Sequence, residues 1–279
     1  MKLSIERLIF IRRPVVEFLE CAKALGFEGV EFAEFELQRL TKDGGFDHST
    51  LFHAVKNQGL TVSGIYWSAD FHKREERNNI LYQAARLAET YRRVGCENVI
   101  IGPPRGGLSA GLSQDQVLQL LDQLVKTLAE ALKVFVDNGI KPSLHNHYDT
   151  LIETQTELEY VLSRIEPELL GFCPDTAHLA LAGMDPAKVI ERYLDRITYA
   201  HLKDIKPFTK RAGRVEKWYE LTTELGSGII AFPRIISLLK YSGLVEWLVV
   251  EQDFSEKDPV YSARESRDYI TTLIKCVKS

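Results

Sequence analysis

Several marks of specialised proteins are missing from this sequence. No apolar run reaches the roughly 20 residues that a bilayer crossing needs, so no membrane span is expected. The opening stretch MKLSIERLIFIRR lacks the charged-then-apolar layout of a secretory leader. Cysteine is scarce: Cys21, Cys96, Cys173 and Cys276 lie far apart and form no Cys-x-x-Cys clip. In a chain of 279 residues that pattern reads as reduced thiols in a cytoplasmic protein, not as a disulfide framework. Positive charge is not in excess either. The 35 Lys and Arg against 39 Asp and Glu leave −4, which argues against nucleic acid or an anionic membrane as partner. No Gly-x-Gly-x-x-Gly follows the first strand, so the phosphate cradle of a dinucleotide fold is absent. The glycine-rich stretch 101–108 has a different spacing and reads as a loop, with Arg105 more readily a solvated side chain than an anion contact. No low-complexity tract or linker divides the chain, which is expected to form one domain, 1–279.

What the sequence does contain is a repeated alternation. Short β-branched or aromatic runs at 3–9, 29–33, 61–67, 98–102, 141–147, 170–175, 197–203 and 247–253 read as strands. Helical patterns fall between and after them at 14–25, 48–58, 77–94, 113–138, 154–165, 186–193, 232–241 and 259–275. The punctuation agrees. Gly26, Gly59, Gly95, Gly139 and Gly243 each follow a helical stretch, where a positive φ is wanted. Ser113 and Gln116 form a capping-box pattern, and Pro186 and Pro259 suit first helical turns. Parallel strands need helical crossovers, and eight strand–helix units in this length predict an α/β fold, a (β/α)8 TIM barrel. An open doubly wound sheet is the runner-up.

A barrel of this kind carries its chemistry at the C-terminal ends of its strands. Four consecutive strands end in ionisable residues, each strand with at least one metal-ligating type: His145 and His147, Asp175 and His178, His201 and Lys203, Glu251 and Asp253. Four of the seven histidines in the chain belong to this set. Any one such residue is more often a hydrogen-bonded structural group than a ligand. Several converging on one barrel mouth without a cation would be costly. Alternation along a strand puts His145 with His147, His201 with Lys203, and Glu251 with Asp253 on shared faces. A deeper ring would then hold a metal and an outer ring would meet substrate.

The stretches HNHYDTLIETQTEL (145–158), DTAHLALAGMDP (175–186), DRITYAHLKDIKP (195–207) and WLVVEQD (247–253) resemble the xylose-isomerase-like barrels of sugar isomerases, epimerases and dehydratases. Within that superfamily they are most similar to the inosose dehydratases. The resemblance implies one divalent metal held by His145, Asp175, His201 and Glu251, with His147 as the alternative fifth-strand ligand. Imidazole and carboxylate donors admit Mn, Co, Zn, Fe or Ni, with Mn or Co favoured. Many isomerases and epimerases of this fold carry Glu at the fifth strand; His145 stands there instead. That removes one carboxylate base and favours lyase chemistry over a ketose isomerase or 3-epimerase.

The implied substrate is a small polyol or oxo-sugar that loses a proton beside a ketone. Glu251 and His178 are the expected base and its orienter. Lys203 and His147 are expected to act as acid or to bind hydroxyls. Glu31, Trp67, His147 and Asp253 are expected to line the substrate, although a salt-bridged Glu31 and a core-packed Trp67 are the plain alternatives. The basic run 206–217, in the loop after the seventh strand, reads as a lid or a solvated face. A nucleic-acid enzyme on this barrel would need more metal ligands than the sequence offers. A homo-oligomer is compatible with the sequence, which carries no code for it.

Overall fold

The computed structural model describes residues 1–44, 47–210 and 214–277. Parallel strands and helices alternate along the chain. The order is β1 (Lys2–Glu6), α1 (Val15–Ala24), β2 (Gly29–Ala33), α2 (Glu34–Gly44), α3 (His48–Asn57), β3 (Thr61–Ser68), α4 (Arg77–Val94), β4 (Asn98–Gly102) and α5 (Gln114–Asp137). It continues with β5 (Lys141–His145), α6 (Gln155–Leu162), β6 (Gly171–Cys173), α7 (Thr176–Leu181), α8 (Pro186–Arg192), β7 (Tyr199–Leu202), α9 (Phe232–Ser242), β8 (Trp247–Val250) and α10 (Pro259–Cys276).

The chain divides into two compact units, and each is described on its own. The first comprises Met1–Glu31, His53–Thr61 and Pro174–Ser279; the second comprises Phe32–Phe52 and Val62–Cys173. In the first, β7, β8, β1 and β2 form a parallel ladder whose register pairs His201 with Val249, Val249 with Ser4, and Glu6 with Glu31. In the second, β3, β4, β5 and β6 pair in parallel in that order. Both ladders are covered by helices, so their strands are buried on both faces and read as continuous apolar runs.

The local signals worked where short-range chemistry decides. All five glycines expected to end helices have positive φ, between 67° and 81°. Ser113 and Gln116 form the capping box: Gln116 N donates to Ser113 Oγ at 3.3 Å and Ser113 N donates to Gln116 Oε1 at 2.8 Å. α5 buries Val117, Leu121, Leu124, Leu128, Leu132 and Phe135 at helical spacing. Each of those side chains contributes about 1.5–3 kcal/mol relative to exposure.

Two differences matter for the site. β5, β7 and β8 end at His145, Leu202 and Val250, earlier than the sequence predicts. His147, Lys203, Glu251 and Asp253 therefore follow their strands, where strict side-chain alternation no longer applies. Helices α2 and α7 lie where the sequence reading has none. α7 has six residues, too few for a 3.6-residue period to show. Among the described residues no helix is long and apolar enough to cross a membrane.

Candidate active site

The chemistry of the first unit gathers where β1, β2, β7 and β8 end and α7 begins. Asp175 is the N-cap of α7, its Oδ1 accepting from His178 N at 2.9 Å. One short Asp-Thr-Ala-His turn thus fixes two ionisable side chains. Thr176 ties that turn to the end of β7. Its Oγ1 accepts from Lys203 N at 3.0 Å and donates to Lys203 O at 2.7 Å. A parallel bridge pairs Asp175 with His201.

Lys203 is the hub. Its Nζ lies 2.5 Å from Glu251 Oε1, 3.0 Å from Asp253 Oδ2 and 3.2 Å from Asp175 Oδ2, and 3.2 Å from His178 Nε2. The side chain is buried. Burial works against its charge, yet the carboxylates of Asp175, Asp253 and Glu251 hold the ammonium well above the usual lysine range.

His201 lies between two carboxylates. Its Nε2 is 3.0 Å from Glu31 Oε2 and its Nδ1 is 2.5 Å from Glu251 Oε2. A neutral imidazole has one N–H to give, so satisfying both contacts calls for an added proton or a cation. Tyr199 OH donates to the same Glu31 oxygen at 2.5 Å. Glu6 stands beside Glu31 in register; burial pushes its carboxyl well up, and Glu251 and Glu31 push it further. Burial raises the Asp175 carboxyl to about 7, against the pull of Lys203. Asp253 is raised by burial as well.

Among the described residues, Glu6, Glu31, Asp175, Glu251 and Asp253 share their surroundings with Lys203 and His201. A buried excess of negative charge is unfavourable unless protons or cations offset it. Asp175, His201 and Glu251 offer one ligand atom each, all within 4.8 Å of one another. Glu31 Oε1 and Glu6 Oε2 are buried with no hydrogen-bond partner among the described residues. The donor set, the close approach of its atoms and the charge imbalance together fit a divalent cation of the Mn, Co, Fe or Zn type.

Seven of the sequence-predicted residues are brought together here: Glu31, Asp175, His178, His201, Lys203, Glu251 and Asp253. The other three belong to the second unit. His145 is buried at the end of β5, edge-on to Tyr66 at 5.5 Å between ring centres and 5.8 Å from the His147 ring. His147 is half-buried, with Nδ1 2.5 Å from Tyr148 O. Trp67 is 2% exposed and packs edge-on against Phe71 and Phe135, which is the core role of an aromatic in a strand. Arg105 is exposed.

The sequence reading gave no role to Glu6, Tyr199, Asp204 or Trp218. Trp218 opens a short 3-10 turn, Trp218–Leu221, in the loop after β7. Its ring meets His178 edge-on at 4.7 Å, and Lys203 Nζ is 5.9 Å from its centre. It stands against the charged cluster as an aromatic wall. The residues of the basic run at 211–213 lie outside the described residues. The loop returns through a short antiparallel pair, Asp204–Ile205 with Thr222–Thr223. Asp204 pins that return by accepting from the backbone N–H groups of Ile205, Gly226 and Gly228 at 2.9 Å each and of Ile230 at 3.1 Å. Gly228 is required there, because a Cβ would sit 2.3 Å from both Asp204 Oδ1 and Ile205 O.

Comparison with known proteins agrees with this architecture. An inosose dehydratase from Geobacillus kaustophilus (strain HTA426) is 26% identical over 245 residues, covering 82% of this chain and 80% of the relative. One from Bacillus cereus (strain AH820) is 30% identical over 161 residues, 53% of each chain. Among solved structures, the probable 3-DHS dehydratase of petrobactin synthesis from Bacillus anthracis superposes with a TM-score of 0.77 at 18% identity, covering 97% of this chain and 99% of that one. The IOLI protein, crystallised with a binding zinc atom, superposes with a TM-score of 0.82 at 16% identity over the whole of both chains. These likenesses confirm the (β/α)8 barrel. The family model described as xylose isomerase-like TIM barrel matches residues 19–273, and the chain belongs to that family.

Proposed function

We propose that this protein is a divalent-metal-dependent lyase of the inosose dehydratase kind. It would remove water from a keto-polyol after taking the proton beside the ketone. The observation that carries the reading is the buried cluster in which Asp175, His201 and Glu251 face one another amid an excess of carboxylates. The similarity to inosose dehydratases supplies the substrate class.

Asp175, His201 and Glu251 would hold the cation, and the proposal rests on these three ligands of the first unit. When bound, the cation supplies Lewis acidity toward the ketone and an adjacent hydroxyl. His178 would take the α-proton at Nε2. Its backbone is fixed by the Asp175 cap and its ring by Trp218. Glu251 orients His201 through its contact at Nδ1. Lys203 keeps its proton against neighbouring carboxylates, so it would hydrogen-bond the departing hydroxyl, and the proton taken up by His178 would pass to that oxygen to complete the water. Trp218 offers an apolar wall to the C–H side of a polyol ring.

The test is the metal content of the purified protein, paired with the absorbance of a conjugated dione when 2-keto-myo-inositol is added. One tightly held divalent metal and a metal-dependent rise are expected. Metal without a rise would move the chemistry to a ketose isomerase or 3-epimerase. No metal, even after Mn or Co is supplied, would overturn the site.

A further inference from the structure

The lysine at the centre of the candidate metal site is the feature the proposed reaction explains least. Its ammonium is within ion-pair distance of two of the three metal ligands, Glu251 at 2.5 Å and Asp175 at 3.2 Å. A divalent ion bonded to those oxygens would lie within a few ångströms of that ammonium, and like charges so close in a buried site repel strongly. Asp253 offers a way out. It is outside the ligand triad, already 3.0 Å from Nζ, and its side chain is 15% exposed, against 1% for the lysine. Thr176 holds both backbone groups of Lys203, at 3.0 and 2.7 Å. The main chain is therefore fixed, and any movement falls to the side chain.

We propose, resting on the metal reading above, that Lys203 is a built-in cation that neutralises the ligand carboxylates in the metal-free protein and withdraws onto Asp253 when a divalent ion enters. Lys203 then sets the metal affinity, with Asp253 as its parking carboxylate. The same movement would release His178 Nε2, which now lies 3.2 Å from the ammonium. The base would become available only once the metal is in place.

The test titrates Mn²⁺ into the metal-stripped full-length protein by calorimetry. Lys203→Met should bind Mn²⁺ at least ~10-fold more tightly than wild type, because a competing charge is gone. Asp253→Asn should bind at least ~3-fold more weakly, because the displaced lysine has lost its anchor. The double variant should match Lys203→Met, since Asp253 acts only through the lysine. Equal or weaker binding by Lys203→Met overturns the proposal while leaving the metal site standing. So does an Asp253→Asn penalty that persists undiminished in the double variant, which would make Asp253 act on the metal directly. Should Lys203→Met not fold, unchanged or tighter binding by Asp253→Asn alone overturns it. If neither wild type nor Lys203→Met takes up Mn²⁺, the functional reading falls with it.

Discussion

Asp175 and Asp204 are both fully buried in the first unit, each at the end of a strand, and they are used in opposite ways. Asp204 accepts four backbone N–H groups, so neutral, immobile donors satisfy its oxygens. Asp175 accepts from His178 N and turns otherwise to Lys203 and the neighbouring ligands. Burial lifts its carboxyl to about 7. A carboxylate surrounded by backbone donors fastens a loop. One surrounded by other ionisable groups has charge left to exchange with a cation or a substrate.

The sharpest way to break this comparison is to neutralise each aspartate. Asp175→Asn keeps an oxygen for the His178 cap but removes a ligand charge. It should lower kcat/KM on the keto-polyol by about 10³-fold or more, and metal content should fall below one per chain. The melting temperature of the stripped protein should shift by no more than ~3 °C, because a repulsive charge is lost along with the Lys203 pair. Asp204→Ala should do the reverse. Four backbone N–H groups, those of Ile205 and Ile230 buried, lose their acceptor, so stability should fall by about 2–4 kcal/mol in urea unfolding, while the Mn²⁺ affinity stays within a few-fold of wild type. Gly228→Ala forces the same latch open and should follow Asp204→Ala in direction. A large stability loss in Asp175→Asn with activity intact would erase the distinction.

The sequence announces these two aspartates unequally. Asp175, His201 and Glu251 are legible because a barrel places strand ends at one mouth and their residue types ligate metals. Glu6 ends β1 and pairs in register with Glu31 in the middle of β2, so the strand-end rule reaches it as well. Asp204 is a different matter. Its role depends on amides at Gly226, Gly228 and Ile230, more than twenty residues away, and no local pattern encodes that closure. Trp218 sits in a loop without period, so nothing in its neighbours points it at His178. Trp67 carries the stronger aromatic strand signal, and it packs against Phe71 and Phe135. Strand ends set by pairing, such as that of β5 at His145, stop short of what composition predicts because the ladder with β6 ends there.

The smallest effect expected is the pH slope of stability, which is read without any substrate. The Asp175 carboxyl titrates near 7 in the folded protein, against an ordinary 3.8 when unfolded. Between those values the folded state binds more protons than the unfolded state, so stability falls as pH rises. Glu6, Asp253 and Asp204 are raised in the same sense, each chiefly by burial. Stability that is full below about pH 4 is thus lost progressively up to and through about pH 7. Lys203, raised above its ordinary 10.5, keeps its charge throughout and adds no slope there. The metal-stripped protein should therefore melt a few degrees lower at pH 8 than at pH 6, by ~3–5 °C in scanning calorimetry. Mn²⁺ should reverse the trend, because it binds the deprotonated carboxylates that high pH provides. Asp175→Asn should flatten the slope around pH 7, whereas Asp204→Ala should melt lower at every pH and keep the part of the slope that Asp175 sets. A stripped wild-type protein whose melting temperature holds level from pH 6 to 8 would mean that Asp175 is already ionised in its ion pairs. It would then be satisfied as fully as Asp204, and the cluster would have no unmet demand for a cation.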